Sequence, residues 1–130
     1  MVNAPHTRHL LVVDDEVDSA DALAELLQFV LPQWDVAVAY GSLAAVECTR
    51  HNPFEIVVLD IEMPGLDGFE TAAALRAVTQ GALPVTIAVS GSPSKVVAAR
   101  ASGIFDFSLL KPIDVEQIKA VCEPLLRLQA

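Results

Sequence analysis

Basic residues are scarce in this chain: Lys and Arg number 8 against 17 Asp and Glu, a formal net charge of −9 at pH 7. A protein that grips nucleic acid needs a cationic footprint to neutralise phosphates, so direct nucleic-acid binding is not expected. Long apolar runs are missing as well, although 53% of the residues are hydrophobic. None approaches the roughly 18 residues that cross a bilayer, so no membrane association is expected. The opening residues Met1-Val2-Asn3-Ala4-Pro5-His6-Thr7-Arg8 lack the apolar centre of a secretion signal. They read as a natural start and a short lead, and the expected location is cytoplasmic. The two cysteines, Cys48 and Cys122, fall in helix-like contexts without metal-ligand spacing. They are expected to be buried, inert thiols rather than a redox pair. His6, His9 and His51 are scattered and form no ligand set. No repeat, low-complexity tract or linker breaks the chain. With 130 residues it is long enough for one cored domain. The expected division is a lead over 1–8 and a single domain over 9–128.

What the chain does have is strict alternation. Short apolar runs at 9–13, 35–39, 56–59, 85–89 and 107–110 read as strands buried on both faces. Between and after them, amphipathic stretches at 17–31, 42–50, 68–79, 93–101 and 114–128 read as helices. In the first of these, Leu23, Leu26, Leu27 and Val30 recur at three- and four-residue steps, which predicts one buried stripe. Ser92 before Pro93, and Asp114, are helix-capping signals, whereas Pro124 should kink or end the last helix. Five strand–helix units in sequence imply an α/β fold with a parallel sheet covered on both faces.

A parallel sheet ends all its strands at one edge, where ligands bind. The residues after the runs are Asp14 and Asp15, then Asp60, then Ser90 and Gly91, then Lys111-Pro112. Alternation therefore gathers three carboxylates, a hydroxyl and an ammonium from distant parts of the chain. Three adjacent carboxylates repel by several kcal/mol unless something offsets them. A hard divalent cation does so, and magnesium takes one or two protein carboxylates with waters and phosphate oxygens. Asp15 and Asp60 would be direct ligands, with Asp14 acting through water. Lys111 and Ser90 would address an incoming phosphoryl group, for which an aspartate is a competent nucleophile.

Four motifs, Val12-Val13-Asp14-Asp15-Glu16, Leu59-Asp60-Ile61-Glu62-Met63-Pro64-Gly65-Leu66-Asp67-Gly68, Val89-Ser90-Gly91 and Leu110-Lys111-Pro112, occur in that order at strand ends. On these the chain resembles the receiver domain of two-component response regulators, over about residues 9–126. The resemblance implies a flavodoxin-like, CheY-like doubly wound sheet of five parallel strands in order 2-1-3-4-5, with five helices in two layers. It also implies roles. Asp60 would be the phosphoacceptor, charged from a phosphohistidine on a sensor histidine kinase or a histidine phosphotransfer protein. Asp14, Asp15, Asp60 and the backbone carbonyl of Glu62 would hold Mg2+. Ser90 would be the switch hydroxyl and Lys111 the active-site lysine, with a candidate cis peptide between Lys111 and Pro112. The kinase would meet the first helix around Asp18, Ala22 and Leu26, and output would pass to an unknown downstream protein.

The chain departs from the family pattern near Lys111. An aromatic residue usually stands three positions before that lysine, working with the switch hydroxyl; here Ser108 does. Either the loop carries Phe107 into the aromatic role or the domain lacks it, and strand alternation favours the second. Glu62, two positions after Asp60, is expected to tune the lifetime of an acyl phosphate or to be a solvated loop acid. Two other classes stay open: a degenerate receiver that only docks, and an aspartate-nucleophile phosphatase. The phosphatase would need a second aspartate two residues after its nucleophile, where Glu16 and Glu62 stand. The expectation is a signalling module, not a turnover enzyme.

Overall fold

The computed structural model describes residues 8–63, 67–79 and 84–127. Pro64, Gly65, Leu66, the lead before Arg8 and the predicted helix end at 128 lie outside the described residues. Among the described residues ten elements alternate: β1 (Arg8–Val13), α1 (Val17–Val30), β2 (Trp34–Ala39), α2 (Ser42–His51), β3 (Ile56–Asp60), α3 (Gly68–Val78), β4 (Val85–Ser90), α4 (Pro93–Ser102), β5 (Phe107–Leu110) and α5 (Val115–Arg127). The strands form one parallel sheet in the order β2-β1-β3-β4-β5. Apart from the helix end at 128, predicted and observed element ends agree to within one residue.

Side chains alternate across each strand, so the apolar runs feed two cores. Leu10, Val12, Ile56, Val58, Ile87 and Val89 pack beneath α1 and α5 with Leu27, Ile118 and Cys122. Leu11, Val13, Val57, Leu59 and Ala88 pack beneath α2, α3 and α4 with Ala45, Leu75 and Ala99. The cysteines are free and lie in opposite layers, which rules out a bond between them. Burial pushes the Cys122 thiol up to about 12; Cys48 is only half-buried, because α2 carries it at the margin of its core.

The first helix corrects its predicted stripe. Ala20, Ala24 and Leu27 are buried, and Leu23 and Val30 pack beside them, but Leu26 is 47% exposed. At 100° per residue Leu26 falls a third of a turn from the centre of that stripe, on the outward side with Asp18, Ala22 and Phe29. Pro124 also fails to end its helix, which runs on to Arg127. Asp114 does cap α5, its Oδ1 accepting from the Glu116 N–H at 3.0 Å.

Near its start, the outer edge of β2 is paired by a side chain. Gln28 of α1 donates from Nε2 to the Trp34 carbonyl at 2.6 Å, and its Oε1 accepts from the Val36 N–H at 3.1 Å. Both groups sit on the side of β2 away from β1, because alternate residues of a strand address the same neighbour.

At the start of α3, Asp67 and Glu70 form a reciprocal capping box, at 2.9 and 3.1 Å. Such a cap contributes ~1 kcal/mol. Gly68, the first helical residue, lies against the end of β3: a Cβ there would stand 2.5 Å from the Cα of Ile61. Gly68→Ala should therefore destabilise the fold by about 1–3 kcal/mol, as overpacking does. Urea unfolding checks this, and an unchanged midpoint would refute the close approach.

Candidate functional site at the carboxyl edge of the sheet

Backbone bonds run one residue beyond the strands and fix the site. Asp14 N–H donates to the Ala39 carbonyl at 3.2 Å, Ile61 N–H to Val89 at 3.1 Å, and Lys111 N–H to Ser90 at 2.8 Å. Asp14, Asp60, Ser90 and Lys111 are thus held at one edge by the ladder itself. Asp15 follows Asp14 and is exposed.

Asp60 is buried and doubly held: its Oδ1 accepts from the Glu62 N–H at 2.8 Å and its Oδ2 from Lys111 Nζ at 2.9 Å. Asp14 is buried too, and its Oδ1 accepts from the Glu16 N–H at 3.0 Å. Burial pushes the Asp14 carboxyl above its ordinary value; the Glu16 N–H opposes this and the charge of Asp60 adds to it. Burial works against the Lys111 charge, but the Asp60 hydrogen bond and the charges of Asp60, Asp14 and Glu62 outweigh it and hold the ammonium above its ordinary value. Lys111 is thus the counter-ion that offsets part of the carboxylate repulsion. The Lys111–Pro112 peptide is cis.

Among the described residues, no three acid, imidazole or thiol side chains form a ready cation cage. The donor chemistry nonetheless suits Mg2+, which needs few protein oxygens and keeps its waters. A buried carboxylate disfavoured by its acidic neighbour, with an exposed carboxylate beside it, is a setting that a hard cation relieves.

Ser90 is fully buried, and its hydroxyl donates to Glu62 Oε1 at 2.6 Å. The same carboxylate oxygen accepts from the Gly91 N–H at 2.9 Å, and Oε2 accepts from Lys95 Nζ at 3.4 Å. The Ser90 hydroxyl, then the Gly91 N–H, hold the Glu62 carboxyl below the usual carboxylate range. Sequence reasoning flagged Glu62 for its nearness to Asp60, but gave no sign that its side chain spans to β4. An acid at that step and a basic residue five after the serine are the signal that could have raised the contact.

The register corrects Phe107 as a candidate aromatic switch. Phe107 pairs with Ile87 and Ser108 with Ala88. Phe107 therefore sits on the α5 face beside Val121 and Pro124, while Ser90, two residues after Ala88, shares the opposite face with Ser108. Ser108 is buried where the family pattern would have an aromatic ring. Phe105 is core, its ring 5.4 Å from that of Phe69 at 70°. A cavity of about 520 Å3, lined by Asn52, Phe54, Glu55 and Val85, lies at the amino ends of the strands, remote from these carboxylates.

The family model of the response regulator receiver domain matches residues 10–123. The transcriptional regulatory protein ZraR of Escherichia coli is 32% identical over 120 residues, 90% of this chain and 26% of ZraR. The cyclic di-GMP phosphodiesterase response regulator RpfG of Xanthomonas campestris is 29% identical over 123 residues, 93% of this chain and 32% of RpfG. The chain thus spans about a third or less of these curated relatives. A response regulator receiver protein from Pseudomonas putida superposes with a TM-score of 0.79 at 25% identity, covering 95% of this chain and 99% of that one. Response regulator TrrA of Thermotoga maritima, solved in complex with Mg2+–BeF, gives a TM-score of 0.75 at 26% identity, covering 91% and 98%. No helix among the described residues is long and apolar enough to cross a membrane. The ordered strand-edge motifs, the 2-1-3-4-5 sheet and a family match across most of its length together make this chain a member of the response regulator receiver domain family of two-component systems.

Proposed function

We propose that this receiver accepts a phosphoryl group on Asp60 and uses it to change its protein–protein contacts. The observation that carries the reading is the buried Asp60 carboxylate clasped by Lys111 Nζ at 2.9 Å, with buried Asp14 at the same strand edge. An Asp60 oxygen attacks phosphorus, and the P–N bond of a phosphohistidine breaks. Its electron pair leaves with the imidazole, and an acyl phosphate remains. Lys111, freed from sole service to Asp60, meets charge on the arriving phosphoryl oxygens. Asp14, Asp15, Asp60 and the Glu62 carbonyl would hold Mg2+, which supplies charge neutralisation when bound.

The donor would be a histidine kinase or a histidine phosphotransfer protein. It would dock on α1, where Asp18, Ala22, Leu26 and Phe29 are all exposed, Phe29 at 83%. The chain makes no turnover product in this reading; the phosphodiesterase in the name of RpfG belongs to a protein three times as long as the matched segment. Intact-mass measurement after incubation with acetyl phosphate and Mg2+ tests the proposal. One added phosphoryl group is expected, and no adduct together with no beryllofluoride binding would overturn it. One observation favours a docking-only receiver instead: Ser90 and Gly91 already hold an internal carboxylate. That reading predicts neither adduct nor beryllofluoride binding.

A further inference from the structure

The Ser90 hydroxyl has one proton, and it is committed to Glu62 Oε1. The single Gly91 N–H converges on the same oxygen. Ser90 Oγ in turn accepts from the Ser92 N–H at 3.0 Å, which fixes the hydroxyl from behind. Glu62 meanwhile gives its own backbone N–H to Asp60 Oδ1, so its main chain holds the acceptor while its side chain holds the donors across the edge. The carboxylate is reachable from solvent, with its side chain 36% exposed, and it rests on Lys95 in the first turn of α4. An anionic oxygen with two converging donors and a neighbouring ammonium is the environment that a phosphoryl oxygen requires.

We propose that Glu62 is an internal anion occupying the phosphoryl-oxygen site at Ser90 and Gly91, and that phosphorylation of Asp60 works by exchange, expelling it. This rests on Asp60 being the phosphoacceptor and adds what that reading lacks, an exit for the signal. A phosphoryl group carries up to two negative charges and cannot share these two protons with a carboxylate. Expulsion leaves Ser90 and Gly91 bonded much as before and removes Glu62 from Lys95. The change therefore emerges at the first turn of α4, where the Ser92 cap and Lys95 meet. That exit needs no aromatic residue, which suits a chain with Ser108 at that place and Phe107 on the far face.

The test is a titration of beryllofluoride with Mg2+ into the 15N-labelled wild-type chain, Glu62→Ala and Glu62→Gln, following the Gly91 amide. Spectral dispersion in each variant reports that it is folded. Before any ligand, Glu62→Ala should move the Gly91 proton upfield, and beryllofluoride should then restore it. Affinity should rise about tenfold in Glu62→Ala, as when a competing charge-assisted contact is removed. Glu62→Gln still offers an acceptor oxygen to both donors, so its gain should be smaller and its unliganded Gly91 shift close to the wild type. An unmoved Gly91 amide in Glu62→Ala, or equal gains in both variants, would overturn the exchange and leave only generic charge repulsion. Unchanged or weaker affinity in Glu62→Ala overturns it also. Absence of binding in the wild type and in both variants would instead bring down the reading of Asp60, and this proposal with it.

Discussion

Asp60→Asn should abolish phosphoryl uptake from acetyl phosphate, with no adduct in the intact mass where the wild-type chain gains one. A carboxamide is no nucleophile toward phosphorus, while its shape is nearly that of the carboxylate, so the loss is chemical and not structural. The amide oxygen can still accept from the Glu62 N–H, as Oδ1 does at 2.8 Å. The stability of the variant should lie within about 1 kcal/mol of the wild type, because two changes oppose each other. Loss of the Lys111 hydrogen bond to the buried carboxylate costs about 1.5–3 kcal/mol, and removal of one of the crowded carboxylate charges, which relieves Asp14, offsets most of it. An adduct of equal yield on both proteins would move the acceptor elsewhere, and Asp14 would be the next candidate.

Lys111→Ala should separate metal binding from phosphoryl chemistry. In the present structure Nζ occupies Asp60 Oδ2, and the charges of Asp60, Asp14 and Glu62 all favour its protonated form. That ammonium repels any cation brought to the same carboxylates. Its removal should keep Mg2+ affinity or raise it a few-fold, within what a screened charge of this exposure can do. The rate of uptake should nonetheless fall by about 10²–10³, the usual cost of removing one preorganised donor from developing phosphoryl charge. Mg2+ titration followed at the Asp15 amide, and the time course of the mass shift, measure the two quantities. Affinity that collapsed in this variant would make Lys111 a structural prop of the metal site.

Trp34 would be a poor optical reporter of either event. It opens β2 and is buried in the α1–α5 core, a full strand length from Asp14. The Gly91 amide and the first turn of α4 are where a response should appear.

The sheet and its acidic edge were legible because both follow from pattern. Short unbroken runs such as Ile56 to Leu59, bounded by turn residues, read as strands covered on both faces, and parallel strands collect their carboxyl ends without further information. The order of the runs alone therefore groups Asp14, Asp60, Ser90 and Lys111. Side-chain direction was less accessible. Leu26 fitted both a buried stripe and a docking face, and a rotation of a third of a turn separates the two. Phe107 stood close to the right sequence position, but strand parity puts it under α5. The reach of Glu62 to Ser90 depends on the relative setting of the loops after β3 and β4. No local propensity encodes that distance, since the residues lie 28 apart in the chain.

The bonds of Gln28 bear on how this protein behaves in a crowd. An unpaired strand margin is a template on which another chain can add. The primary amide of Gln28 offers one donor and one acceptor in the spacing of a neighbouring peptide, and it satisfies the Trp34 carbonyl and the Val36 N–H without a second polypeptide. The helix that covers the sheet thus also caps the start of its margin, by a side chain counterfeiting one rung of backbone. A carboxylate there could still accept from Val36 but would face the Trp34 carbonyl with a lone pair. At residue 28, glutamate would therefore leave one outward group of the strand margin unpaired where glutamine pairs both.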